Sequence, residues 1–211
     1  MTKSHVLAII RLFGYLTLFN FLLLSPITSK PFLIRFANLD HLPPLSVGDW
    51  VLRKGRILDS RIIIELSRGQ YSHIGMIIRT APDIEVIHAT TDDGGTKKEQ
   101  VIVSPLAEFI SPDLAADYLI IRPHFLTNEQ KQLIVNELEL LQGSTFILAP
   151  RNQPHLYCTT FLSEAIQHYE PRFTPSWQFV NTPLFAGEYL FPNAFEHYPQ
   201  TEIIYHAGFA P

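Results

Sequence analysis

Ser72-His73-Ile74-Gly75-Met76-Ile77-Ile78-Arg79 and Ile84-Glu85-Val86-Ile87-His88-Ala89-Thr90, divided at Pro82-Asp83, decide how this chain is read. Both runs are rich in β-branched residues and bounded by turn formers, so they predict two strands joined as a hairpin, with Asp92 to Gly95 forming the next turn. Side chains alternate along a strand. His73, Gly75 and Ile77 therefore share one side while Ile74, Met76 and Ile78 share the other, and Val86 falls on the same side as His88. Antiparallel pairing would turn His73 and His88 inward, close enough for one imidazole to hydrogen-bond the other.

Working outward, Lys30 to Val47 reads as a Pro- and Leu-rich linker, and Gly48-Asp49 opens a first strand at Trp50-Val51-Leu52. Ile62, Ile63 and Leu66 recur at helical spacing before the stop Ser67-Arg68-Gly69, although an Ile-rich triplet also suits a strand. Short strands are predicted at Val101 to Val103 and Tyr118 to Ile121, with a short helix from Pro105 to Ile110. Thr127 and Gln130 have the spacing of a capping box, and Leu133, Ile134, Leu138 and Leu141 would line one helix face up to Gly143. A further helix is expected from Tyr157 to Tyr169, with Phe161, Leu162, Ala165 and Ile166 on one side. A last strand is expected at Glu202 to His206. The class is α+β: an antiparallel sheet packed against helices.

The chain has 211 residues, 46% hydrophobic and 17% charged, enough for one substantial core. Its net charge is −4 and its cations form no run, which argues against nucleic acid as a partner. The first thirty residues differ from the rest. Lys3 and Arg11 flank or interrupt an apolar stretch over residues 6–24, followed by Pro26, Thr28 and Ser29. That pattern predicts a signal peptide over 1–29 or an uncleaved membrane anchor, then a linker over 30–46 and the domain over 47–211. A lipoprotein signal is excluded because it would need a cysteine there. The expected location is exported: periplasm or cell envelope.

Export bears on Cys158, the single cysteine, which has no partner for a disulfide within the chain. It lies in His155-Leu156-Tyr157-Cys158-Thr159-Thr160-Phe161, at the expected start of a helix. Unpaired first-turn amides and the helix dipole favour a thiolate there, and the amide of Cys158 could serve an oxyanion. The same position and spacing equally suit an inert core cysteine. His155, in a loop beside prolines, reads as solvated surface.

These segments together resemble a family: Gly48-Asp49, then Tyr71-Ser72-His73-Ile74-Gly75, then Glu85-Val86-Ile87-His88-Ala89, then Tyr157-Cys158-Thr159-Thr160-Phe161. The resemblance is to YiiX/YebB-like cysteine hydrolases, permuted papain-fold members of the NlpC-type superfamily related to lecithin retinol acyltransferase-like proteins. It spans roughly Val47 to Tyr169. It implies a permuted papain-like (NlpC-type) fold with the nucleophile at a helix N-terminus: Cys158 as nucleophile, His73 as general base and His88 as the group that orients it. It also places Tyr71 as a possible oxyanion or substrate contact. YiiX/YebB-like members often carry Glu where this chain has His88, whereas the acyltransferase relatives carry His.

The implied activity is cleavage of an amide or ester through a thioester acyl-enzyme, on a small peptide, glycopeptide or lipid-type substrate, without a cofactor. An acyltransferase using the same site and a non-catalytic binding module of the same fold are the alternatives. No metal is expected, because no His-Glu-x-x-His or paired-cysteine motif occurs and the Asp92-Asp93-Gly94-Gly95 run lacks the spacing of a calcium loop. No Gly-x-Ser-x-Gly or glycine-rich phosphate loop occurs either. The aromatic-rich tail, with Phe173, Trp177, Phe179, Phe185, Tyr189, Phe191 and Phe195, could wall an apolar pocket or simply pack the core.

Overall fold

The computed structural model describes residues 35–91 and 99–208. The expected signal or anchor over 1–29 and the turn at Asp92 to Gly95 lie outside them. Strand β1 (Trp50–Gly55) is followed by helix α1 (Leu58–Ser67), then β2 (His73–Arg79), β3 (Glu85–Thr90) and β4 (Gln100–Pro105). Helix α2 (Leu106–Phe109), β5 (Ala115–Pro123), α3 (Asn128–Leu140) and α4 (Cys158–Tyr169) come next. A small hairpin, β6 (Gln178–Asn181) and β7 (Ala186–Tyr189), then α5 (Asn193–Glu196) and β8 (Thr201–Gly208) complete the order.

The main sheet is antiparallel with order β4-β3-β2-β1-β5-β8, which makes the predicted hairpin β2-β3 part of its centre. Six of the seven β2 residues are buried, because helices and loops cover both faces. On one face Ile74, Met76, Ile87 and Leu119 pack with Ile134 and Leu138 of α3 and Phe161, Leu162 and Ile166 of α4. On the other, Val51, Ile77, Val86 and Ile120 pack with Leu106, Phe109 and Ile110. This explains why the strands read as nearly continuous apolar runs.

Residues 35–46, expected as linker, are laid against that second face through Ala37, Leu39, Leu42 and Leu45. The capping box forms as expected: Gln130 N–H donates to Thr127 Oγ1, and Thr127 N–H to Gln130 Oε1. One expectation for α3 fails. Leu133 is exposed, and the buried stripe runs through Lys131, Ile134, Val135 and Leu138, because the helix turns its Val135 side to the core.

Gly48 has φ +85°, and a Cβ there would sit 2.7 Å from Lys131 Cγ and Cδ. Glycine thus allows both the left-handed turn into β1 and the lysine stem lying over it. Among the described residues, no helix is long and apolar enough to cross a membrane.

Candidate active site

One end of the sheet gathers the chemistry. The last residues of β1 and β3 and the first of β2 meet there, and with the start of α4 they border a cavity of about 270 Å³. Cys158 and His73 both line it. They approach from different faces. The histidines lie on the Phe109 side, their rings 5.5 Å (His73) and 4.8 Å (His88) from that ring between centroids, while α4 packs on the Ile74 and Met76 side. Cys158 meets them round the strand end, where the backbone amide of Ile74, the residue after His73, is close enough to favour a charged sulfur.

The expected His-His contact is present. His73 Nε2 lies 2.9 Å from His88 Nδ1, and His88 Nε2 lies 3.1 Å from Ser104 Oγ. With protons donated from His73 to His88 to Ser104, His73 Nδ1 is the basic ring atom. Gly75 makes this contact possible. A Cβ there would come within 2.4 Å of Val86 Cγ1, 3.0 Å of the Ile87 carbonyl oxygen and 3.2 Å of His88 Cβ, driving β3 away from β2.

The α4 start is fixed from outside the sheet. Tyr157 Oη accepts from Leu190 N–H at 2.9 Å, and Thr159 Oγ1 donates to the Leu190 carbonyl at 2.7 Å. Both polar groups of Leu190 are therefore satisfied by residues flanking Cys158, which pins the segment after β7 over the site. Phe185, Leu190, Phe191 and Pro192 supply one wall of the cavity, and Ile57, Ile62, Ile63, Phe146 and Leu148 much of the rest.

The expected lowered thiol pKa is not found. Burial dominates and pushes the Cys158 thiol up to about 11, while the amides of Ile74, Thr159 and Cys158 and the charge of Arg53 pull the other way. The resting sulfur is a thiol. Helix-start amides alone do not overcome the removal of this group from water.

Tyr71 is buried in the core between sheet and helices and does not border the cavity. Burial first, then the charges of Asp117 and Glu196, raise its hydroxyl above the ordinary tyrosine range. Tyr157 is the tyrosine at the cavity wall. His155 is not solvated surface: its side chain is 13% exposed, its Nδ1 lies 2.8 Å from the Gln153 carbonyl, and its ring meets Tyr157 and Trp177. The aromatic tail divides. Phe173 and Phe195 pack the core, Phe185 and Phe191 face the cavity, and Phe179 is exposed.

Sequence reasoning missed Ser104 and Arg53. Ser104 was open to it, since Ile102 pairs with His88 and Ser104, two residues on, keeps the same face. Arg53 lines the cavity yet is 6% exposed, and a buried arginine late in a short strand carries no local sequence signal.

The architecture defines a class: an α+β protein whose antiparallel sheet carries a polar row at one end, facing a helix start. Among solved structures it is similar to the metalloprotein YiiX from Escherichia coli O157:H7, with a TM-score of 0.63 and 18% identity, covering 79% of this chain and 98% of that one. The fold is thus of the YiiX type. No family model and no curated protein matches the chain.

Proposed function

We propose that this protein is an exported thiol hydrolase of permuted papain-like (NlpC-type) construction, in which Cys158 attacks an ester or amide carbonyl. The observation that carries the reading is the opening of Cys158 and of His73, the first member of the His73-His88-Ser104 chain, into one largely apolar cavity. His73 Nδ1 takes the thiol proton as sulfur bonds to the carbonyl carbon, while His88 and Ser104 hold the ring and its tautomer. Amides at the α4 start receive the oxyanion. The tetrahedral adduct expels the alcohol or amine, which takes the proton back from His73, and water then hydrolyses the thioester.

The cavity wall favours an apolar acyl group over a polar cell-wall peptide. The apolar run over residues 6–24 supports export to the cell envelope, with the segment removed or kept as an anchor. Whether water or a second substrate accepts the acyl group separates hydrolase from acyltransferase.

The YiiX neighbour is described as a metalloprotein, so a metal must be weighed. Among the described residues no group of three or more His, Cys, Asp or Glu side chains could hold an ion. Both ring nitrogens of His88 are engaged, by His73 and Ser104, and His73 Nε2 is engaged by His88. These donors do not fit a metal centre. One observation favours a binding module of the same fold instead, namely the thiol pushed up to about 11.

Turnover of p-nitrophenyl acyl esters of increasing chain length tests the proposal. Activity should rise with chain length and vanish in Cys158→Ala. Hydrolysis that persists in Cys158→Ala, or a wild-type protein that binds these esters without turnover, would overturn it.

A further inference from the structure

Strand β1 reads Trp50-Val51-Leu52-Arg53, three fully covered apolar residues and then a cation that is nearly as covered. Arg53 pairs directly with His73 across the β1-β2 ladder, so their side chains leave the sheet on the same face. Together with His88 on β3 and Ser104 on β4 it completes a polar row that slants across adjacent strands. Phe109 holds the charged end. Arg53 Nη1 donates to the Phe109 carbonyl at 2.9 Å, and the guanidinium carbon lies 4.5 Å from the centroid of the ring that also packs His73 and His88. Arg53 also borders the cavity alongside Cys158.

A buried guanidinium carries a desolvation cost that an apolar side chain of similar length would avoid. At this site the charge has a use. We propose that Arg53 stabilises the negative charge that forms on Cys158 during attack and then on the carbonyl oxygen of the adduct. This rests on the thiol-hydrolase reading above and adds the group that offsets the unfavourable burial of the sulfur. The pull of Arg53 toward a lower thiol pKa supports it. Asp59, at the cavity edge, acts with opposite sign, while His73 and Tyr157 border the same space.

Cys158 is the single cysteine, so alkylation reports on it alone. Iodoacetate and iodoacetamide differ in charge far more than in size, and the ratio of their rates reads the local potential independently of how open the cavity is. The ratio should fall roughly tenfold in Arg53→Gln and stay near the wild-type value in Arg53→Lys. If Arg53→Gln does not fold, Arg53→Met suits the apolar surroundings and serves in its place. A folded neutral variant with an unchanged ratio would overturn the role given to Arg53. The functional reading fails differently: His73→Ala would leave both alkylation rates and ester turnover untouched.

Discussion

The two ends of β1 each bury a charge, and they treat it in opposite ways. At the start, Asp49 is fully covered and accepts from Arg122 Nε at 2.8 Å, from Arg122 Nη2 at 2.6 Å and from Ser46 N–H at 2.8 Å. At the other end, Arg53, His73, His88 and Ser104 are also buried, but Arg53 and His73 border a cavity. The first cluster satisfies a carboxylate on all sides and belongs to the architecture. The second exposes polar atoms to a space that a substrate can fill. Burial and hydrogen bonding alone do not separate structure from function here; the opening does.

The contrast breaks most readily at the cavity end. His73→Ala removes the proposed base, and ester turnover should fall by roughly a thousandfold or more, a loss far larger than its cost in stability. Asp49→Asn should do the reverse. Losing the anion removes the buried counter-charge of Arg122 and should cost about 3 kcal/mol in urea unfolding, with alkylation of Cys158 unaltered. If Asp49→Asn silences the thiol as well, the two ends of β1 are coupled and the division is wrong.

A smaller effect distinguishes the ends through pH. The Cys158 thiol titrates near 9.0 when unperturbed and is pushed up to about 11 in the folded protein. Between those values the unfolded chain gives up a proton that the folded one keeps, so stability falls as pH rises through this window. Cys158→Ala should therefore lose less stability than wild type between pH ~8 and ~10.5, by about 1–2 kcal/mol in urea midpoints compared at matched salt. Equal losses would mean that the folded thiol titrates like an unperturbed one, and a relative gain for wild type that the folded site already holds a thiolate.

How far this contrast was legible in the sequence depends on the length of the pattern behind each residue. Alternation along Ser72 to Arg79 and Ile84 to Thr90 was enough to pair His73 with His88, because a two-residue period leaves no choice of face. Spacing over Tyr157 to Tyr169 likewise gave the helix that begins at Cys158. The β6-β7 hairpin escaped, since its strands have four residues each and the stretch around them is broken by Pro175, Pro183 and Gly187. Its end is held by Tyr157 and Thr159 through Leu190, a contact between distant segments that no local pattern encodes. The thiol pKa was misjudged for a related reason. The helix-start amides are local and were anticipated, whereas burial is set by everything packed around the site.

Ser104→Ala should give the smallest effect and the finest test. The hydroxyl lies on the far side of His88 from His73, buried on β4, and touches nothing that reacts. If the hydrogen-bond chain serves to fix the His73 tautomer, removing the Ser104 hydroxyl takes away the group that holds the His88 proton on Nε2 and lets both rings redistribute their protons. Turnover should then fall by about three- to tenfold, roughly 1 kcal/mol, with the loss in kcat rather than KM because the cavity wall is unchanged. Ser104→Thr, which keeps the hydroxyl, should restore most of it. A Ser104→Ala protein as active as wild type would show that Phe109 packing alone orients the histidines, and would shorten the functional row to Arg53, His73 and His88.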